Sequence, residues 1–190
     1  GSPVLRELSL VGLAFAAVQV SLTSFLVTYL ADALRWSLVT AGLALTCATT
    51  SAVAGRIFWG IVADRWLPPL RTLALIGGIA GASGVVLALA APGWPAWLLL
   101  PLTAVYGATA IGWNGVQLAE LARRAPAGTA GAVTGASGFV TFAGVVAGPL
   151  AFAGLAGLTG SYRTGFFVCA AVSAVAAVAL LGRARQSAPH

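Results

Sequence analysis

The chain alternates long apolar runs with short polar breaks, and the breaks carry turn chemistry. Six runs are near the roughly 20 residues that a helix needs to cross a bilayer core. They cover residues 8–30, 37–62, 73–91, 94–121, 130–155 and 164–181. Pro68-Pro69 parts the second run from the third, Ala91-Pro92-Gly93-Trp94-Pro95 the third from the fourth, and Arg123-Arg124-Ala125-Pro126-Ala127-Gly128 the fourth from the fifth. None of these linkers is long enough for a soluble domain. The pattern predicts an all-α polytopic membrane protein, one six-helix transmembrane domain over residues 1–190.

Polar residues are spread unevenly. The third and sixth runs are almost purely Ala, Val, Leu, Gly and Phe, with Ser83 and Ser173 as exceptions. The first carries Gln19, Thr23 and Tyr29; the second Thr46, Thr49, Thr50 and Arg56; the fourth Tyr106, Trp113, Asn114 and Gln117; the fifth Thr134, Ser137 and Thr141. Four helices are expected to line something polar and two to face lipid. In the fourth run Tyr106, Ala110, Trp113 and Gln117 stand at i, i+4, i+7 and i+11, one helical face. That stripe suits either a small solute or interhelical packing.

Composition supports the membrane reading. The chain is 59% hydrophobic and 7% charged, with a mean hydropathy of +0.98, far from a soluble domain. Every basic side chain apart from His190 is arginine. The net charge of +6 does not form a nucleic-acid patch, because the arginines stand singly or in pairs between apolar runs. Arg6, Arg65, Arg71, Arg123, Arg124, Arg183 and Arg185 fall at one end of the predicted bundle; Arg35 and Arg163 fall at the other. This bias puts both termini in the cytoplasm, as expected for a protein of the cell (inner) membrane. Cys47 and Cys169 lie within apolar runs and read as small buried hydrophobes; no cluster has metal-ligand spacing, and no cofactor is expected. Gly1-Ser2 resembles a cloning scar and His190 the start of a tag; the scar-like residues and the abrupt start lead to the expectation of an excised or truncated half.

Arg56 is the most informative residue. It lies eight residues before Asp64, which is expected at the membrane surface. Eight residues at 1.5 Å each place it about 12 Å inward, in a core whose half-thickness is about 15 Å. A charge at that depth costs about 2.5–3.5 kcal/mol on insertion scales and usually has a function. Asp32, Asp64 and Glu120 all fall near run ends, so no acid matches its depth. The expected partner is an external anion in a water-filled cavity; the alternative is a structural arginine held by backbone carbonyls.

Glycine pairs four apart, Gly77 with Gly81, Gly131 with Gly135 and Gly144 with Gly148, mark close helix contact, chiefly internal packing. Gly148-Pro149 is expected to bend the fifth helix. Gly135-Ala136-Ser137-Gly138 matches the G-x-S-G of intramembrane serine proteases, but a serine nucleophile needs a histidine within reach and only the terminal His190 exists. An enzyme is therefore not expected. Asn-Pro-Ala repeats of aquaporin-like channels are absent.

Gly60, Asp64 and Arg65 form G-x-x-x-D-R between the second and third runs, followed by Trp66-Leu67-Pro68-Pro69-Leu70 and a single Arg71. With Gly148-Pro149 and Glu120-Leu121-Ala122-Arg123, these residues resemble the C-terminal six-helix half of a major facilitator superfamily transporter over essentially the whole chain. The resemblance implies two inverted three-helix repeats, outer third and sixth helices, and a substrate held between two halves. Arg56-x-x-x-Gly60-x-x-Ala63 is similar to the arginine motif of monocarboxylate and oxalate/formate porters, and Gly112-Trp113-Asn114-Gly115 to nitrate and cyanate porters. Both imply a small anionic substrate such as a monocarboxylate. On that basis Arg56 is the expected anchor, with Gln19, Tyr106, Trp113 and Asn114 shaping the site; Asp64 and Arg65 are expected to brace a gate with Glu120 and Arg123. The expected partner is a second six-helix half or a parallel homodimer. A non-transporting half that acts only in assembly is the alternative.

Overall fold

The computed structural model describes residues 3–186; the readings of Gly1-Ser2 and His190 lie outside it. Seven helices make six spans: α1 (Pro3–Leu34), α2 (Leu38–Arg65), α3 (Pro69–Leu89), α4 (Ala96–Ala110), α5 (Asn114–Arg124), α6 (Ala130–Thr159) and α7 (Tyr162–Gln186). Each span is long and apolar enough to cross a membrane, α4 and α5 together forming the fourth. Most helix ends run a few residues past the apolar stretches, and their end groups, which lack partners within the helix, are met by caps or avoided by proline. Ser37 caps α2 by accepting the Thr40 N–H at 3.1 Å, and Pro69 starts α3 at a position where its missing N–H has no helical partner.

The helices pair as α3 with α7, α1 with α6 and α2 with α4. Exchanging the first three spans for the last three maps this set onto itself. The first span of each triplet starts at opposite ends of the bundle, so the two triplets are inverted repeats. Glycine brings the pairs together. A Cβ on Gly144 would lie 2.1 Å from the Leu13 carbonyl oxygen, and one on Gly148 2.5 Å from Ala17. Between α2 and α4, a Cβ on Gly107 would lie 2.1 Å from the Ala48 carbonyl oxygen. Packing attraction replaces the hydrophobic effect in lipid, and small residues let backbones approach. Helix α6 continues through Pro149 without a break, and Gly148 beside it makes this close approach to α1.

The arginine-poor end is fastened by side chains on the end of α3. Tyr29 donates to the Leu87 carbonyl at 2.8 Å, and Arg163 Nη2 donates to the Ala90 carbonyl at 2.7 Å. A cation at a helix C-terminus also meets the negative end of its dipole. Phe25 stacks on Phe152 at 4.4 Å, and Phe152 meets Phe166 edge-on at 5.1 Å.

Helices α3 and α7 turn apolar sides outward through Leu75, Val85, Phe167, Val175 and Val178. They are nevertheless not the most open elements. Helix α6 is the least buried span and α2 the next.

Candidate functional site

The fourth span is interrupted at mid-depth. Helix α4 ends at Ala110 and α5 begins at Asn114, with Ile111, Gly112 and Trp113 as turn between them. The interruption is packed against α2. A Cβ on Gly112 would lie 3.3 Å from the Gly55 carbonyl carbon, and one on Gly55 2.5 Å from the Ala108 carbonyl oxygen. Trp59 on α2 donates its indole N–H to that Ala108 oxygen at 2.9 Å. An indole donor thus supports backbone just before the break. Trp59 was not among the expected site residues; its place four residues after Gly55, on the same face, was the available signal.

Three expected residues meet here. Gln19, at the middle of α1, accepts through Oε1 from Trp113 Nε1 at 3.1 Å and from Asn114 Nδ2 at 3.3 Å. Asn114 Nδ2 also donates to the Ile111 carbonyl at 3.3 Å. The Trp113 ring is buried and stands edge-on to Phe15 at 5.6 Å. Gln19 and Asn114 remain half-buried. Their bonds fix the side of each amide, leaving the Gln19 amide donors and the Asn114 carbonyl acceptor outside these three contacts. This is a small polar patch with both donor and acceptor capacity, anchored by a buried indole.

Arg56 is exposed. Its chain neighbours Gly55 and Trp59 contact Ala108 and Gly112, so Arg56 stands level with the interruption. Among the described residues its guanidinium has no ion pair; the three pairs lie elsewhere. Helical spacing places it on one face of α2 with Thr46, Thr49, Val53 and Gly60, and that face is largely open.

Tyr106 departs from expectation. It is completely buried, and its hydroxyl has no hydrogen-bond partner. A Cβ on Gly84 of α3 would lie 3.1 Å from that hydroxyl and from the Ala170 methyl of α7. Tyr106 therefore belongs to the seam with the outer helices and does not join Gln19, Trp113 and Asn114. Gln117, from the same stripe, crosses to α1 and donates to the Leu8 carbonyl at 2.8 Å.

The expected gate residues are also divided. Asp64 and Arg65 are exposed at the end of α2, and Gly60 meets open space. Glu120 is buried, and both its carboxylate oxygens are taken by its own helix: Arg123 Nη2 at one, Arg124 Nε at the other, the latter at 2.6 Å. The i,i+3 and i,i+4 spacings make those partners the nearest available. No bridge runs from Asp64 or Arg65 to Glu120 or Arg123 among the described residues. A separate pair, Arg183 to Glu7 at 2.6 Å, ties α7 to α1 at the same end.

No group of three or more potential metal-ligating side chains occurs among the described residues. No curated protein matches the chain in sequence. In structure it is similar to a crystallised variant of the E. coli fucose:proton symporter FucP, with a TM-score of 0.73 and 18% identity. The match covers 94% of this chain and 42% of the symporter, so the chain spans less than half that protein's length. At that identity the likeness carries the fold: six helices forming one half of a two-half architecture. The sequence matches the Major Facilitator Superfamily over residues 9–190, and the chain, an integral membrane protein and not an enzyme, belongs to that family.

Proposed function

We propose that the chain is one half of a secondary transporter that moves a small anion by alternating access. The observation that carries this reading is Arg56: exposed, without an ion pair among the described residues, and level with the Gln19–Trp113–Asn114 patch. An unpaired guanidinium at membrane depth favours an anionic ligand. Its fork suits a planar carboxylate or nitrate, which it can bind bidentately. The Gln19 amide donors and the Asn114 carbonyl would then select among anions by their remaining polar groups. Tyr106 acts from behind, as packing for α4. No midplane carboxylate in this half is available to carry a coupling proton; symport would draw that proton from the second half or with the substrate.

In this reading both termini face the cytoplasm, following the arginine bias, in the cell's inner membrane. The second half, or a second parallel copy, covers the open faces of α2 and α6 and completes a site at the midplane. Gly60, Asp64 and Arg65 act at the contact between halves, while Glu120 orders Arg123 and Arg124 locally.

Isothermal titration of the purified chain with formate, lactate and nitrate tests the reading, alongside light-scattering mass. Binding of at least one anion is expected. Arg56→Ala should remove it, and Arg56→Lys should weaken it by about tenfold, about 1.4 kcal/mol. Unchanged affinity in Arg56→Ala would end the anchor role. A monomer that binds no anion would favour the assembly-only half.

A further inference from the structure

The Glu120 cluster lies outside the proposed anion site and keeps unspent donors of its own. Glu120 is 3% exposed, yet its two partners are open: the Arg123 side chain is 55% exposed and that of Arg124 34%. Each arginine spends one nitrogen on the carboxylate, and a guanidinium carries five N–H donors. The buried acid therefore holds two guanidinium groups side by side with donors to spare. Together with Glu120 and Pro69 they line an open cavity of 320 Å³.

Pro69 is the first residue of α3, and no side chain caps that end. The positive end of the α3 dipole therefore borders the cavity. Two arginines against one glutamate leave the cluster with one net positive charge. Trp66, three residues before Pro69, is 68% exposed. Exposed tryptophan is typical of the membrane–water interface, which puts the cavity at headgroup level, at the end of the bundle that holds most of the arginines.

We infer that this cavity binds the phosphate of an anionic phospholipid headgroup. Paired arginine forks match phosphate oxygens in geometry as well as charge. Basic pockets between transmembrane helices on the cytoplasmic side bind anionic lipid headgroups in this way. A dissolved phosphate offers the same oxygens, but the interfacial depth marked by Trp66 favours the lipid. Glu120 is the positioning residue: it lowers the net charge while fixing the two forks. The inference is independent of Arg56 and of the substrate.

Native mass spectrometry of the chain in neutral detergent provides the test, with phosphatidylglycerol, phosphatidylcholine and inorganic phosphate as probes. Phosphatidylglycerol should bind about tenfold more tightly than phosphatidylcholine. The double substitution Arg123→Gln with Arg124→Gln should abolish that preference, whereas Arg185→Gln, which removes an exposed charge elsewhere at the same end, should leave it within about twofold. Glu120→Gln separates positioning from bulk charge by sign. It removes a negative charge and so raises the net positive charge, yet loss of positioning should weaken phosphatidylglycerol about threefold. Arg123→Lys with Arg124→Lys gives a milder variant should the glutamine pair misfold, and it should bind about threefold more weakly. Tighter binding in Glu120→Gln, or equal losses in the glutamine pair and Arg185→Gln, would overturn the site. Inorganic phosphate that binds through the same arginines and displaces the lipid would overturn the lipid as its occupant.

Discussion

Helices α3 and α6 are built from nearly the same residues and end in opposite surroundings. Both are rich in Ala, Val, Leu and Gly, and both carry glycines four apart. In the most apolar stretch of α3 61% of residues are buried; in that of α6 only 11% are. The α3 pair, Gly77 and Gly81, packs on the Ser173 and Ala170 carbonyls of α7, where added Cβ atoms would stand 3.0 and 3.1 Å away. In α6 the pair Gly144 and Gly148 meets α1, while Gly131 and Gly135 meet nothing within 4 Å. Phe139, Phe142, Val146 and Leu150 of α6 are exposed beside them. A glycine pair therefore encodes the capacity for close approach, and the bundle decides whether that capacity is used within one half. The unused pair and the open side of α2 are where we propose that a second half sits.

The largest effect should come from the filled seam. Gly144→Ala pushes a methyl into the Leu13 carbonyl, a backbone atom that cannot swing away. A loss of about 3 kcal/mol is expected from overpacking, read from unfolding in mixed detergent micelles. The matching change in the open pair, Gly135→Ala, should stay within about 0.5 kcal/mol. Equal losses would erase the contrast between the two pairs. Gly135→Leu sharpens it: the lone chain should keep its stability, while pairing with a second half, followed by cross-linking, should weaken.

Smaller effects test the polar contacts. Gln19→Leu removes the acceptor shared by Trp113 and Asn114, and a loss of about 1–2 kcal/mol should follow in the same unfolding assay. Gln117→Leu cuts one bond between α5 and α1 and should lose about 1 kcal/mol. The smallest change should be a gain. Arg35 holds φ of 63° just after α1, a left-handed conformation that disfavours any side chain. Arg35→Gly should raise stability by up to about 1 kcal/mol, visible as a small rise in melting temperature.

The spans were legible because lipid demands long apolar runs and the linkers carry proline and glycine. The break at Gly112 was not, since Tyr106, Ala110, Trp113 and Gln117 keep helical spacing across it. All four are buried, but periodicity shows only which residues share a face. It does not show which neighbour that face meets, and so Tyr106 was expected at the pathway while it lies against α3 and α7. The charged loop residues were hard to pair for a similar reason. Asp64 and Glu120 both lie near arginines in sequence, but only Glu120 has two of them one turn away on its own helix. Arg56 stood out in sequence by its distance from Asp64 and the absence of any acid at that level; in the structure it lies level with the break in the fourth span.

We propose that Arg56 faces water and an anion, in contrast to exposed apolar residues of α7 such as Val178. Reaction of a cysteine with a membrane-impermeant thiosulfonate reports this directly, because only a hydrated thiol reacts quickly. Arg56→Cys, with Cys47 and Cys169 replaced by alanine, is compared with Val178→Cys in membranes containing the two-half assembly. Labelling at position 56 should be at least about tenfold faster than at position 178. Equal rates at the two positions would contradict it.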